Sequence, residues 1–339
     1  MTPRIAAAAM LLAVTGCASV SEPVVLQGEG LGSTWSVKIA GPATPDTAAL
    51  RAGIQQRIDE VSRQINRWDT ASTLSHLNEA RTEEWQPVSS ALLDALSYAL
   101  SLAADTGGAF DPTVAPLVDA WGFGTAGRRF EPPTAQAISA ARERTGWNKV
   151  TLDTAARRVR RPAGLQIDLS SMTHGYAADQ VATYLKSAGV RSYLVDVGSE
   201  IRANGSSPEG RPWRIAIERP PEGSSSEDAP RTPQRVIALR DAGVATSGNY
   251  RYYFDYGGRR YSHRIDPRTG EPVTHPLASV TVIDEQCMRA DALATALTVL
   301  GPEEGFAFAE RHNVAALFIL QTSHGLQERM TPSFAAYLN

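Results

Sequence analysis

No apolar run in this 339-residue chain is long enough to cross a membrane as a helix. Such a helix needs roughly 20 apolar residues, whereas the unbroken run near the N terminus, residues 5–14, reads IAAAAMLLAV and stops there. The remaining chain must therefore bury its apolar side chains in a globular core. The formal net charge is −3, so the chain lacks the basic surplus that a dedicated nucleic-acid-binding protein carries.

The first residues are typical of an export signal. Arg4 precedes the apolar run, and Gly16 leads directly into Cys17. A short apolar run behind a basic residue is the pattern of a signal peptide, and Val-Thr-Gly-Cys resembles a bacterial lipobox. We therefore expect residues 1–16 to be a signal peptide, Cys17 to be lipidated, and residues 17–27 to tether a domain at the periplasmic side of a membrane. An ordinary secretory signal with an incidental cysteine is the alternative.

Hydrophobic periodicity predicts both helices and strands. Apolar residues between Leu50 and Trp68 recur every three or four positions, which indicates an amphipathic helix with Asp46 as its N-cap. Thr34–Ala40 and Leu165–Leu169 alternate and predict strands. With further strands, hairpins and helices downstream, residues 28–339 are predicted to form one large α+β (mixed α/β) domain with mixed sheets flanked by helices. Cys287, without a cysteine partner if Cys17 is lipidated, is interpreted as a small buried apolar residue.

Two segments in the first half of the chain combine turns with polar groups. In residues 106–113 (TGGAFDPT), two glycines allow the backbone to approach an anion or a ring edge. In residues 168–176 (DLSSMTHGY), an acid leads into a polar turn and a helix N terminus, which attracts anions. The alternatives are structural: a helix end followed by a new helix in the first segment, and capping of the helix by Asp168 or Ser170 in the second.

Two segments in the second half carry further candidates. His263 precedes a Pro-Gly turn in which Asp266 is interpreted as structural, and a lone histidine is more often structural than catalytic. Asp291 and Thr295 are four residues apart, so they share one helix face. A carboxylate and a hydroxyl suit Mg²⁺, which prefers oxygen ligands. The alternative is an acid favoured at a helix start and a threonine bonded to its own helix. The sequence contains neither a dinucleotide-binding G-x-G-x-x-G after a strand nor a P-loop.

Together these segments resemble the FAD:protein FMN transferases, the ApbE family. The resemblance runs from about Gly28 to the C terminus. It is carried by six motifs: TGGAFDPTVAPLV followed by WGFG (106–124), DLSSMTHGYAADQVA (168–182), LVDVGSEI (194–201), VATSGNYRYYF (244–254), YSHRIDPRTGEPV (261–273) and ADALATAL (290–297).

The resemblance implies a T-fold-like domain and Mg²⁺-dependent transfer of FMN from FAD to a threonine hydroxyl of a membrane redox flavoprotein, with release of AMP. The acceptor threonine would lie in a Ser/Thr-Gly-Ala-Thr type of motif. The same residues would serve an FAD pyrophosphatase, in which water replaces the threonine. The third alternative is a lipoprotein that binds FAD without catalysing a reaction.

The resemblance also implies roles for individual residues. His263 matches the catalytic histidine, and the magnesium positions are Asp291, Thr295 and Ser171, the last through its backbone carbonyl. The FAD contacts implied are Leu31, Trp68, Ala109, Phe110, Asp111, Asp168, His174 and Ile265, the last through its backbone.

Four positions depart from the family pattern. His174 stands where members carry Lys or Glu, Leu31 where Met is usual, and Ser199 where a second glycine is usual. Ala294 leaves the metal helix without the second carboxylate that some members have.

Overall fold

The computed structural model describes residues 22–41, 46–221 and 232–338. The predicted signal peptide, Cys17 and the first part of the predicted tether lie outside these ranges. Within them, no helix has the length and apolar character needed to span a bilayer. The helices are α1 (Thr47–Ile65), α2 (Thr73–Glu79), α3 (Ser90–Asp105), α4 (Ala115–Ala120), α5 (Ala135–Glu143), α6 (Thr173–Ser187), α7 (Cys287–Arg311) and α8 (Pro332–Ala335).

In the described ranges most helices precede the main run of strands, and ten strands lie between α6 and α7, an order typical of the predicted α+β class. The strands are β1 (Val24–Gly30), β2 (Ser33–Ala40), β3 (Gln86–Pro87), β4 (Thr151–Asp153), β5 (Arg158–Arg160), β6 (Ser192–Val197), β7 (Glu200–Asn204), β8 (Trp213–Glu218), β9 (Pro233–Leu239), β10 (Gly243–Gly248), β11 (Tyr253–Tyr256), β12 (Arg259–Ser262), β13 (Ile265–Asp266), β14 (Glu271–Pro272), β15 (Leu277–Asp284), β16 (Ala315–Thr322) and β17 (Gly325–Met330).

An eight-stranded sheet organises the domain, in the order β1-β2-β6-β7-β10-β15-β16-β17. All its pairings are antiparallel. Alternate residues face opposite sides, so Ala245 and Val282 join the large core with α1, α3, α6 and α7. Val244 and Ile283 join a second core with the β8–β9 hairpin and the C-terminal Phe334. The sheet is therefore covered on both faces, by helices on one and by a hairpin on the other.

A smaller aromatic cluster lies beside this sheet. Trp121 and Phe123, at the end of α4, pack against the β11–β12 hairpin through Phe254 and against Ile265. The indole Nε1 of Trp121 donates to the Gly270 carbonyl at 2.8 Å. This contact fixes the turn that follows the histidine motif against α4.

The N-cap that the sequence predicts for the first helix is present. Asp46 accepts from the Ala49 amide at 3.0 Å, and Leu50, Ile54 and Ile58 are buried along α1 as predicted. Cys287 is fully buried, as interpreted from the sequence. Gly301 has non-helical backbone angles inside α7, so this long helix is kinked there.

Two predictions from the sequence are wrong. Leu165–Leu169 forms no strand. Its central residue Ile167 instead bonds the side chain of Asn78, which accepts from the Ile167 amide at 2.7 Å and donates to its carbonyl at 2.8 Å. Residues 24–27 are not a tether, because Val24–Gly30 pairs with β2 through a two-residue turn at Leu31 and Gly32. Both turn residues have positive φ, as a tight hairpin requires.

Candidate active site

One cleft of about 320 Å³ gathers nearly all the residues predicted to act in binding or catalysis. It lies where α6, α7 and the turn after β12 meet the segment around Phe110. The predicted residues that line it are Trp68, Ala109, Phe110, Asp111, Asp168, Ser171, His174, His263, Ile265, Asp291 and Thr295. Leu31 does not line the cleft, but its carbonyl oxygen lies 3.3 Å from Nε2 of His174.

Backbone contacts hold the start of α7 in place. The carboxylate of Asp179, on α6, accepts from the amides of Cys287 at 3.0 Å and Met288 at 2.9 Å. A Cβ on Gly175 would lie 2.5 Å from the Cys287 carbonyl oxygen, and a Cβ on Gly243 would lie 2.5 Å from the Cys287 Cα. Only glycine permits these approaches, so α6 and β10 both meet the first turn of α7 at backbone distance.

This close contact brings the predicted metal helix to the N terminus of α6. The Gly175 amide donates to Oδ2 of Asp291 at 3.2 Å. Burial raises the pKa of Asp291 to about 7, opposed by this hydrogen bond and by the nearby guanidinium of Arg264. The cleft therefore holds a carboxylate whose negative charge is poorly compensated by the protein alone.

Arg264 and Glu200 extend this charged cluster. The guanidinium of Arg264 donates to Thr295 Oγ1 and to Ser247 Oγ, both at 3.2 Å, and these two hydroxyls lie 3.0 Å apart. Burial, with Asp291 and Asp196 nearby, raises the pKa of Glu200 well above its usual range. Oε2 of Glu200 is buried without a hydrogen-bond partner among the described residues.

The donor set fits Mg²⁺. The described ranges contain no group of three or more His, Cys, Asp or Glu side chains able to hold a metal. Mg²⁺ does not require one, because it commonly binds one or two carboxylates together with waters and substrate phosphates. Asp291, Thr295 and the Ser171 carbonyl are oxygen donors of the kind Mg²⁺ prefers, and Glu200 is a second carboxylate close to Asp291 in the same cleft.

The environment of His263 fixes its tautomer. Nδ1 lies 2.8 Å from the Tyr252 carbonyl oxygen, so Nδ1 carries the proton and Nε2 is left as the basic nitrogen. The His263 amide donates to the same carbonyl at 3.1 Å. Burial and the adjacent Arg264 cation lower the pKa of His263 to about 3. The ring is therefore a neutral imidazole throughout the physiological pH range.

A buried ion pair network orients Asp168. Arg67 donates to Asp168 Oδ2 at 2.9 Å, to Asp119 Oδ2 at 3.0 Å and to Thr125 Oγ1 at 3.2 Å. Oδ1 of Asp168 accepts from the Ser170 amide at 2.8 Å. Neither Asp168 nor Ser170 caps α6, whose N-cap position is Met172 with no side-chain bond. The capping alternative is thus excluded for this helix.

The remaining predicted FAD contacts differ in exposure. Trp68 is 55% exposed at the cleft edge. His174 is partly buried, and this burial lowers the pKa of its imidazole. Asp111 is also a structural residue: Oδ1 accepts from both the amide and the hydroxyl of Thr113 at 2.7 Å. Asp266 bonds Arg268 at 2.9 Å within its turn, as its structural interpretation requires.

Sequence reasoning missed four charged residues at or beside the cleft, namely Glu200, Arg264, Arg67 and Asp119. Glu200 lies inside the LVDVGSEI motif, and Arg264 lies between His263 and Ile265 in the YSHRIDPRTGEPV motif. Their positions within these motifs were the signal by which the sequence could have identified them. Arg67 precedes Trp68, but nothing in the sequence pairs it with Asp119 and Asp168, because these contacts join residues 52 and 101 positions apart.

Comparisons with known proteins identify the family of the chain. Residues 31–318 match the ApbE family. The chain is 40% identical to an FAD:protein FMN transferase of Vibrio cholerae, over 98% of each chain. It is 34% identical to an Escherichia coli protein of the same name, over 99% of this chain and 97% of that protein.

Solved structures show the same fold. The flavin transferase ApbE from Vibrio cholerae superposes with a TM-score of 0.85 at 38% identity, covering 94% of this chain and 99% of that one. The apo flavinyl transferase ApbE from Pseudomonas stutzeri gives a TM-score of 0.84 at 38% identity, covering 94% and 97%. On sequence and on structure, this chain belongs to the ApbE family.

Proposed function

We propose that this protein is an FAD:protein FMN transferase that requires Mg²⁺, modifies a threonine of an acceptor flavoprotein and releases AMP. The observation that carries the proposal is the single cleft in which a neutral His263 lies with the oxygen donors Asp291 and Thr295. The names of the relatives support flavin transfer. The threonine and the release of AMP are what the resemblance of the motifs implies, and the oxygen donors of this cleft support the metal.

The reaction is a phosphoryl transfer. The threonine hydroxyl attacks the FMN-side phosphorus of FAD, a new O–P bond forms, and the pyrophosphate P–O bond breaks so that AMP leaves. Mg²⁺ would supply charge stabilisation on the phosphate oxygens when bound by Asp291, Thr295 and the Ser171 carbonyl. The Arg264 guanidinium, in contact with Thr295, adds a fixed positive charge beside the same oxygens.

His263 receives the hydroxyl proton on Nε2, because Nδ1 is committed to the Tyr252 carbonyl. A base with a pKa of about 3 is weak at neutral pH. The pyrophosphate of FAD would raise this pKa, since a nearby negative charge favours the imidazolium. Basicity then develops only after FAD has bound, which couples proton removal to substrate binding.

Three activities are separated by one assay with FAD, Mg²⁺ and a synthetic peptide carrying the Ser/Thr-Gly-Ala-Thr motif. Transfer gives AMP and a peptide whose mass has increased by the whole FMN moiety, that is, FMN less one water. Hydrolysis gives AMP with an unmodified peptide. A carrier gives bound FAD and neither product. Transfer is expected, and a peptide of unchanged mass would contradict it.

The matched variants are Asp291→Asn in the cleft and Asp94→Asn on the exposed face of α3. Asparagine retains an acceptor for the Gly175 amide but not the charge. We expect Asp291→Asn to lower transfer by about 10²-fold or more, because a metal stabilises several kcal/mol of transition-state charge. Asp94→Asn should transfer at the unsubstituted rate. Equal transfer rates for both variants would exclude a role for Asp291 in FMN transfer.

We also propose that the protein is a lipoprotein anchored through Cys17, on the basis of the lipobox-like segment. Cys17→Ser should move the protein from the membrane fraction to the soluble fraction, while FMN transfer per molecule stays unchanged. Retention of Cys17→Ser in the membrane fraction would refute the lipid anchor and leave the transferase assignment untouched.

A further inference from the structure

A second cleft, of about 680 Å³, lies directly beside the first. None of the residues that the family resemblance implies for FAD or metal binding lines it. The two clefts share five residues, which form the partition between them: Glu200, Thr246, Tyr252, His263 and Arg264. The candidate base and the fixed guanidinium are therefore accessible from two sides.

The second cleft opens where the central sheet separates. β10 pairs with β7 only at Gly243 and Val244, whereas its pairing with β15 continues to Gly248. Residues of both separating strands line the cleft, Ile201 on β7 and Thr246 on β10. Residues 245–248 of β10 thus border the cleft without a strand partner on that side in the described ranges. Such an edge can accept an extended peptide as an added strand.

The opposite wall is apolar and its rim is charged. It is formed by β8, whose Ile215 and Ile217 are nearly buried and whose exposed Ala216 borders the cleft. At the rim, Arg251 and Glu218 form an ion pair. The cleft is therefore a slot of about 680 Å³ between two strands, with an ion pair at its rim.

We propose that this second cleft binds the hydroxyl-bearing segment of the acceptor flavoprotein as an extended strand along residues 245–248 of β10. The inference rests on the proposed function. In phosphoryl transfer the attacking and leaving oxygens lie roughly in line on opposite sides of the phosphorus. FAD in the first cleft and the acceptor in the second reach His263 and Arg264 from different sides, so the attacking hydroxyl and the leaving AMP do not share one entrance, which is compatible with in-line attack. Threonine suits the slot because β-branched residues favour extended backbone.

The first test fills the slot. Ala216→Trp places a large ring on the β8 wall, and Arg214→Trp is the matched control, two residues earlier on the same strand, exposed and outside the cleft. We expect Ala216→Trp to raise the KM for the acceptor peptide by tenfold or more while the Kd for FAD stays within twofold. Arg214→Trp should change neither. An unchanged acceptor KM for Ala216→Trp, or a parallel loss of FAD affinity, would overturn the assignment.

The second test measures binding without turnover. Ala216→Cys adds an exposed thiol, while Cys287 is fully buried, and the unsubstituted chain gives the background of maleimide labelling. An acceptor peptide with alanine in place of its reactive threonine should slow labelling at this position about fivefold or more. FAD alone should not. Protection by FAD alone would assign the slot to FAD, and no protection by the peptide would overturn the proposal.

These outcomes separate the two proposals. If the unsubstituted enzyme transfers no FMN to the peptide, the proposed function fails. If it does transfer FMN but both tests at Ala216 are negative, transfer stands and the acceptor lies elsewhere.

Discussion

Replacing Arg67 by methionine should strongly destabilise the protein, because it leaves two carboxylates without their counter-charge. The Arg67 side chain is only 5% exposed, and its partners Asp168 and Asp119 are 10% and 19% exposed. Methionine fills a similar volume but pairs with neither. Removing one partner of a buried ion pair typically costs about 3–5 kcal/mol, and here one cation serves two acids. We expect the free energy of unfolding to fall by about that amount.

Urea unfolding at pH 8 measures this loss, with Arg63→Met on the exposed face of α1 as the control. The control should change the unfolding free energy by less than about 0.5 kcal/mol, as surface substitutions usually do. Combining Arg67→Met with Asp119→Asn and Asp168→Asn removes the unpaired charges and should recover much of the loss. A loss below about 1 kcal/mol for Arg67→Met, or no recovery in the combined variant, would refute the reasoning. FAD binding should weaken in Arg67→Met, since Asp168 then lacks its orienting bond.

Three further predictions concern the same site. Gly175→Ala places a Cβ against the backbone of Cys287, so it should cost about 1–3 kcal/mol of stability and lower FMN transfer; wild-type values of both would contradict the close contact. The pKa of His263 is lowered from 6.5 to about 3, so this residue contributes stability above pH 6.5 that is lost as the pH falls towards 3. His263→Gln should therefore lose less stability than the unsubstituted protein between pH 7 and pH 4 in urea titrations; equal losses would argue against a buried neutral imidazole. Trp68→Ala should leave stability within about 0.5 kcal/mol yet weaken FAD binding about tenfold, the scale of one lost stacking contact; calorimetry showing unchanged affinity would remove Trp68 from the site.

The sequence predicts well those elements that are determined by residues close together along the chain. The α1 stripe and its Asp46 cap are determined within one helix, and the Asp291–Thr295 face follows from helical spacing. The predicted strand at Leu165–Leu169 fails because alternation reports only which side chains are buried. Asn78, 89 residues away along the chain, supplies the hydrogen bonds that a neighbouring strand would have supplied.

The contacts among the charged residues of the cleft were not predictable, because they also join residues that are far apart in the sequence. Glu200 is close to Asp291 and Arg264 only because β7, α7 and the segment after β12 converge there. Sequence spacing contains no information about that convergence. The resemblance to a family identified individual motif residues, but the proximity of Glu200 to Asp291 is visible only in the three-dimensional arrangement.

The glycine contacts at the start of α7 have a consequence for how this enzyme can diverge. Gly175 and Gly243 set the spacing of α6, β10 and α7 by main-chain contact, so that spacing does not depend on which side chains cover the outer faces of these elements. Surface residues can therefore drift between species, or be redesigned to suit a different acceptor, without altering the distance between Gly175 and Asp291. The two glycines therefore keep the geometry of the active site independent of substitutions on the surrounding surface.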